Sequence, residues 1–99
     1  MYKIGKNKVE NWYILENSKP SDYFFHLSSF PSCYVILEIK EKPTLEQIVK
    51  GAEICKEHTK FRNLKNLKVD YCRCDNVVKG DVIGEAEFVS NRKVKQIKI

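Results

Sequence analysis

The sequence predicts an α+β fold in which two helices pack on one mainly antiparallel sheet. Several short stretches alternate between apolar and polar residues, which is the pattern of strands with one buried face. Two other stretches follow N-cap signals and carry apolar residues at helical spacing. No linker, repeat or low-complexity tract divides the 99 residues, so we expect one domain over residues 1–99.

The chain opens with a predicted strand, Tyr2–Gly5, and a short helix. Asn7 and Glu10 have the spacing of a capping box, and the helix is expected to end near Glu16 or Asn17. On one side this helix carries Val9, Trp12 and Tyr13.

Two strands follow, at residues 22–27 and 33–39, joined by a turn over residues 28–31. In an extended strand Asp22, Phe24 and His26 share one face, and the alternate residues form an apolar face. We expect the apolar face to be core and the row of Asp22, Phe24 and His26 to be functional. The alternative is that Asp22 only ends the preceding turn and that His26 is a hydrogen-bonded structural histidine.

The second half predicts the main helix and the rest of the sheet. Thr44 and Gln47 form a capping box for a helix that runs to about His58. Its apolar residues recur at helical spacing: Leu45, Ile48, Val49, Ala52 and Cys55. Residues 67–72 alternate as a strand, and residues 82–89 and 94–99 are predicted to form a hairpin around residues 90–92.

The composition favours a binding module over an enclosed enzyme. The net charge is +5, and the excess is mainly C-terminal: residues 51–99 carry eleven basic and seven acidic side chains. Such a surface suits a phosphate backbone as partner. No apolar run approaches a membrane span and no signal peptide opens the chain, so we expect a cytoplasmic protein without a membrane partner.

The four cysteines have no framework-like spacing, so we expect reduced thiols. Cys72 and Cys74 with a histidine are the only zinc-like set, and no second close pair accompanies them. We therefore expect no metal site, and no motif calls for a cofactor.

Several short motifs, in one order, resemble the RNA-binding (R) domain of the NFACT family, the ribosome-associated quality-control and fibronectin-binding-like proteins. The motifs are Gly5-Lys6-Asn7, Glu10-Asn11, Asp22-Tyr23-Phe24-Phe25-His26, Pro31-Ser32-Cys33-Tyr34-Val35, Thr59-Lys60-Phe61-Arg62, Val69-Asp70-Tyr71-Cys72 and Lys79-Gly80-Asp81-Val82. The resemblance covers almost the whole chain, which is similar to a free-standing R domain. Phe24 replaces the family's usual tryptophan, Tyr34 a histidine, Cys72 a threonine and Lys79 a proline.

The resemblance implies nucleic-acid binding, for which three kinds of side chain are needed. Phosphates require cations, and the candidates are Lys6, Lys8, Lys60, Arg62 and Lys79. Stacking requires exposed rings, and the candidates are Phe24, Tyr34 and Tyr71, with His26 beside them. Asn7 and Asn11 are available for hydrogen bonds to sugars or bases, and Asp22 belongs to the same motif set. Alternatively, the lysines are ordinary solvated side chains, Phe24 and Tyr71 are core, and Arg62 pairs with Glu57 or Asp70.

The sequence hypothesis is a non-enzymatic domain that binds RNA, either tRNA or rRNA, in translation or ribosome quality control. DNA, the ribosome or a partner protein are the alternative partners, the last through a sheet edge or the Trp12-Tyr13 surface. A metal-dependent nuclease would use Asp22 and His26, with Glu10 approaching from the first helix. Only one carboxylate lies in the strand row, which favours binding over catalysis, so no catalytic residue is assigned.

Overall fold

A computed structural model describes residues 1–30 and 32–99. Pro31, which belongs to the predicted turn and to one of the motifs, lies outside the described residues. The elements of the described chain are β1 (Tyr2–Gly5), α1 (Lys8–Glu16), β2 (Tyr23–Leu27), β3 (Tyr34–Leu37), α2 (Leu45–Glu57), β4 (Lys68–Arg73), β5 (Val77–Lys79), β6 (Ala86–Phe88) and β7 (Lys95–Lys98). The α+β class is confirmed, and a small second sheet is added to the predicted one.

The main sheet of the described chain has the strand order β1-β3-β2-β4-β7, and each of its pairings is antiparallel. The central strand β2 alternates as predicted. Phe25 and Leu27 point to one side of the sheet and Phe24 to the other, and all three are fully buried. Since β2 buries both of its faces, it forms the centre of two cores.

The helix α2 covers one face of the sheet and packs on β2 and β3. The predicted capping box is present: Thr44 Oγ1 accepts from Gln47 N at 3.2 Å, and Gln47 Oε1 accepts from Thr44 N at 2.9 Å. A Cβ on Gly51 would lie 2.7 Å from the ring of Phe25. The glycine therefore lets the helix approach the sheet closely enough to bury that ring.

The helix α1 lies on the opposite face of the sheet. The side of α1 that faces the core is not the side that the apolar pattern of the sequence indicates. Its buried residues are Asn11, Ile14 and Leu15, whereas Val9 and Tyr13 are 69% and 65% exposed. The inward side begins with an asparagine whose Oδ1 accepts from the backbone N–H of Tyr34 at 3.2 Å. A buried polar residue with a specific hydrogen bond interrupts the apolar pattern, which is why the pattern pointed to the wrong side.

The predicted C-terminal hairpin is wrong. The strand β6 pairs with β5, which precedes it, and β7 pairs with β4 at the edge of the main sheet. Asn76, just before β5, joins the residues that flank this small sheet, because its side chain donates to Ser90 O and accepts from Ser90 N, both at 2.9 Å. The predicted turn near Asn91 exists, but it carries the chain from one sheet to the other.

The two sides of α1 provide a stability test. Ile14→Ala should lower the free energy of unfolding by about 2–5 kcal/mol, because a buried side chain is removed from a packed core. Val9→Ala should change it by less than about 0.5 kcal/mol, because Val9 is largely exposed. Urea unfolding of both variants measures this. Equal losses would mean that α1 packs with the side that carries Val9.

Candidate functional site

The chain between β1 and α1 forms a fixed corner. Asn7 is the N-cap of α1, and its Oδ1 accepts from Glu10 N at 2.9 Å. Glu10 Oε1 in turn accepts from the backbone N–H of Lys6 at 3.0 Å. These bonds fix the first turn of α1, where the helix dipole places partial positive charge.

Asn11 places this corner on the sheet. Its side chain is 7% exposed and bonds to the start of β3. A Cβ on Gly5 would lie 2.2 Å from Asn11 Oδ1, so only glycine leaves room for the contact. Asn11 therefore has a structural role, in addition to lining the surface described next.

Residues from three distant parts of the chain line one open groove of about 510 Å³. We call it the lysine groove; it is lined by Lys6, Asn7, Lys8, Asn11, Ser32, Cys33, His58, Thr59 and Lys60. It brings together five of the predicted binding residues: Lys6, Asn7, Lys8, Asn11 and Lys60. The sequence did not assign Ser32, Cys33, His58 or Thr59, because only the fold places them beside α1.

The electrostatics of the lysine groove are one-sided. Lys6, Lys8 and Lys60 are exposed, and none of their ammonium groups forms an ion pair with a described residue. No acidic residue occurs among the described residues that line the groove. The three cations and the α1 N-terminus together create a surface that attracts anions.

Two predicted cations lie outside this groove. Arg62 is exposed in the turn after α2, two residues beyond Lys60. Lys79 forms an ion pair with Glu16 and lies 5.0 Å from the centroid of the Trp12 ring. Trp12 Nε1 also donates to Glu85 O at 2.8 Å. Lys79 thus helps to hold the β5–β6 hairpin on α1, and Glu16 offsets its charge.

The predicted stacking rings of Phe24 and Tyr34 are core residues. They are 1% and 3% exposed, and they pack edge to face with centroids 4.9 Å apart. The Tyr34 hydroxyl donates to Gly84 O at 2.5 Å, so the loop between β5 and β6 closes over the ring. The expectation that these rings stack on bases is wrong for this conformation, because neither has an open face.

His26 lies half-buried at the border of the same cluster, 5.4 Å from the Tyr34 ring. Burial lowers the pKa of His26, and a hydrogen bond with Leu27 and the charge of Asp70 partly oppose this effect. Asp70 lies directly across from His26 in the β2–β4 register. Gln96 Nε2 donates to Asp70 Oδ1 at 2.8 Å.

Asp22 has the predicted structural role in the turn before β2. Its two carboxylate oxygens accept from Lys19 N at 2.8 Å and from Ile39 N at 3.2 Å. The carboxylate that acts on the ring of His26 is Asp70 and not Asp22, although Asp22 and His26 belong to the same predicted row. The reason is that Asp22 precedes β2 and turns toward the backbone.

The cysteines are buried free thiols in the described chain. Burial raises the pKa of Cys72 to about 11 and that of Cys74 to about 12. Among residues 1–30 and 32–99, no three His, Cys, Asp or Glu side chains are grouped so that they could hold a metal ion.

Asp22→Ala should destabilise the fold by about 1–3 kcal/mol, because two backbone N–H groups lose their acceptor. Asp22→Asn, which keeps one acceptor oxygen, should lose less. Asp81→Ala is the control, since Asp81 is exposed and a change below about 0.5 kcal/mol is expected. Unfolding midpoints in urea measure the series; parent-like behaviour of Asp22→Ala would remove its structural role.

His26 should make stability depend on pH. Its pKa is lower in the folded state than the ordinary value of about 6.5, so the unfolded chain binds more protons as the pH falls through that value. The free energy of unfolding should therefore decrease as the pH falls below about 6.5 and should not depend on His26 well above that value. Urea unfolding of His26→Gln should show a flatter pH profile than that of the parent. Identical profiles for the parent and His26→Gln would assign the pH dependence to another group.

Within the described chain, no helix is long and apolar enough to cross a membrane. No protein-family model matches the sequence, and no curated protein matches it. The fold is similar to a solved structure of the C-terminal part of the fibronectin/fibrinogen-binding protein from Streptococcus suis, with a TM-score of 0.89 and 22% identity over 99% of this chain. This chain spans 39% of that one. At this identity, the similarity shows that the two chains share a fold.

Proposed function

We propose that this chain is a non-enzymatic RNA-binding domain that contacts the phosphate backbone through the lysine groove. One observation carries the proposal: Lys60, more than fifty residues from Lys6 and Lys8 in sequence, lines the same groove as these two lysines, and no acidic side chain is among its described lining. An ordinary solvated surface mixes both signs of charge. A groove whose charged lining has one sign, and whose lysines form no ion pair with a described residue, is suited to a polyanion.

The groove also offers hydrogen-bonding groups beside the cations. The N-cap bond occupies Asn7 Oδ1 and leaves the amide NH₂ of this exposed side chain free to donate. A phosphate at the α1 N-terminus would lie within reach of both Lys6 and Lys8 and of this amide. RNA also carries a 2′-hydroxyl, which DNA lacks, and this hydroxyl accepts a hydrogen bond from such an amide.

The finer proposal names tRNA or rRNA and a role in translation or ribosome quality control. It is supported by the ordered motifs that resemble the NFACT R domain, of which Gly5-Lys6-Asn7, Glu10-Asn11 and Thr59-Lys60 meet at the lysine groove. The shared fold with the Streptococcus suis protein is compatible with it. That protein is named for binding fibronectin and fibrinogen, so a protein partner is the competing outcome of the test.

The composition of the groove favours binding over cleavage. Hydrolysis by metal ions requires carboxylates that converge on the scissile phosphate. The described lining has none, and Asp22 uses both carboxylate oxygens for backbone N–H groups. We therefore propose that bound RNA remains intact.

Lys8→Gln/Lys60→Gln should weaken binding to unrelated RNA sequences to a similar degree, because phosphates carry no sequence information. The slope of log affinity against log salt should decrease by about 1 to 2, since each lost phosphate contact removes about 0.7 on a single strand and about 0.9 on a DNA duplex. The control is Lys50→Gln/Lys98→Gln, which removes the same charge at exposed positions outside the groove. Filter binding over a salt series, with circular dichroism of each variant, measures the difference.

Two results would contradict the proposal. Equal losses in the test and control variants would assign the affinity to overall charge and not to the groove. Absence of RNA binding at low salt, together with binding of a fibronectin fragment, would establish a protein-binding domain instead.

A further inference from the structure

The helix α2 leaves part of its sheet face uncovered. It packs on β2 and β3, and the β4–β7 side of the same face carries Tyr71 and Lys95 as directly opposed residues. Tyr23 lies opposite Arg73 at the end of β2. The Tyr71 ring stacks on Phe25, with centroids 5.8 Å apart and an angle of 20° between the planes. A tyrosine ring therefore rests on the core with its other side directed outward.

This uncovered face is the floor of a cleft of about 470 Å³, which we call the tyrosine groove. Its lining is Tyr23, Lys42, Pro43, Ile48, Tyr71, Cys72, Arg73, Asp75, Asn76, Lys93 and Lys95. The apolar part comes from Ile48 and the two tyrosine rings, and the entry to α2 forms one wall. It shares no described lining residue with the lysine groove. The volume falls within the range of small-molecule sites.

The rim of the tyrosine groove is positively charged. Lys42, Lys93 and Lys95 are exposed, and none of them forms an ion pair with a described residue. Arg73 is offset by Asp75, with 3.2 Å between Nη2 and Oδ2. Three uncompensated cations thus surround two half-buried aromatic rings.

The Tyr71 phenol is a neutral donor at physiological pH. Burial raises the pKa of Tyr71, and the neighbouring Tyr23 adds to this effect. A neutral phenol combines a flat apolar ring with one hydrogen-bonding group. Such a surface can contact a planar heterocycle and its polar edge together.

We propose that the tyrosine groove binds one unpaired nucleotide, with the base against the tyrosine rings and the phosphate at the lysines of the rim. A nucleotide combines a flat ring with an anion, and the groove offers complements to both within one cleft. The nucleotide is either free or part of a single strand. The second case rests on the proposed function. In that case the nucleotide belongs to an RNA strand that is also held at the lysine groove, and unpaired RNA is the preferred ligand. A base-paired duplex cannot insert a base there.

The test compares a single-stranded RNA of about eight nucleotides with the same sequence in a duplex, and adds AMP as a free nucleotide. Binding of the RNAs is measured by fluorescence anisotropy, and binding of AMP by amide chemical shifts in NMR. Tyr71→Leu removes the ring but keeps an apolar side chain. Lys93→Gln/Lys95→Gln changes only exposed positions, so it tests the groove even if Tyr71→Leu does not fold. The control matched in charge is Lys50→Gln/Lys98→Gln, at two exposed positions outside the groove.

We expect both groove variants to weaken single-strand binding by about fivefold or more. Duplex binding should change no more than in the control Lys50→Gln/Lys98→Gln, which should bind the single strand nearly as well as the parent. Lys8→Gln/Lys60→Gln should weaken both RNAs. If that variant weakens binding while the tyrosine-groove variants do not, the nucleotide site is wrong and the proposed function stands.

If no RNA binds to the parent, the proposed function is wrong, and the AMP measurements then test the tyrosine groove by themselves. Shifts at Tyr71 and Lys95 that vanish in Lys93→Gln/Lys95→Gln would support a site for a free nucleotide, and their absence would overturn it. Poly-glutamate tests charge alone. If it displaces AMP or RNA and Tyr71→Leu has no effect, the surface is a non-specific anion patch and the proposal is overturned.

Discussion

The lysine groove depends on the contact between Asn11, Gly5 and the start of β3. The asparagine side chain lies where a Cβ on Gly5 would come within 2.2 Å of it, and its oxygen accepts the N–H of Tyr34. This bond sets the height and rotation of α1 on the sheet. A polar side chain that is hydrogen-bonded in a buried position thus positions the charged surface beside it.

The two faces of the main sheet are covered to different extents. On the face of α1, the β5–β6 hairpin closes over Phe24 and Tyr34, and Gly84 approaches so closely that a Cβ would lie 2.8 Å from the Lys8 side chain. Because the hairpin covers these two aromatic side chains, they are part of the core and do not form an exposed row. On the face of α2, a single helix covers β2 and β3 and leaves Tyr71 partly open. Of the three predicted stacking rings, Tyr71 is therefore the one that stays partly open to a ligand.

The sequence predicts those helices and strands that are determined by residues close together in the chain. The Thr44 and Gln47 pair predicts the start of α2, and strict alternation predicts β2 with its two faces. The partner of β7 was not predictable in this way, because its pairing with β4 is decided by an open edge 26 residues earlier in the chain. The strand β5 has only three residues, and the hydrogen bonds of Asn76 that set its context are tertiary.

The same division holds for the binding residues. Lys6, Asn7, Lys8 and Lys60 were identified because cations and caps near helix ends have a recognisable chemistry, and the fold then brought them together. Phe24 and Tyr34 were assigned by residue type, but an aromatic side chain on a strand has two uses, and only the neighbouring loop decides between them. Tyr23, Lys93 and Lys95 carried no signal, since they meet only through the β2–β4–β7 register. The residue types predict which interactions a chain can make. The tertiary structure decides which of those side chains remain exposed to a partner.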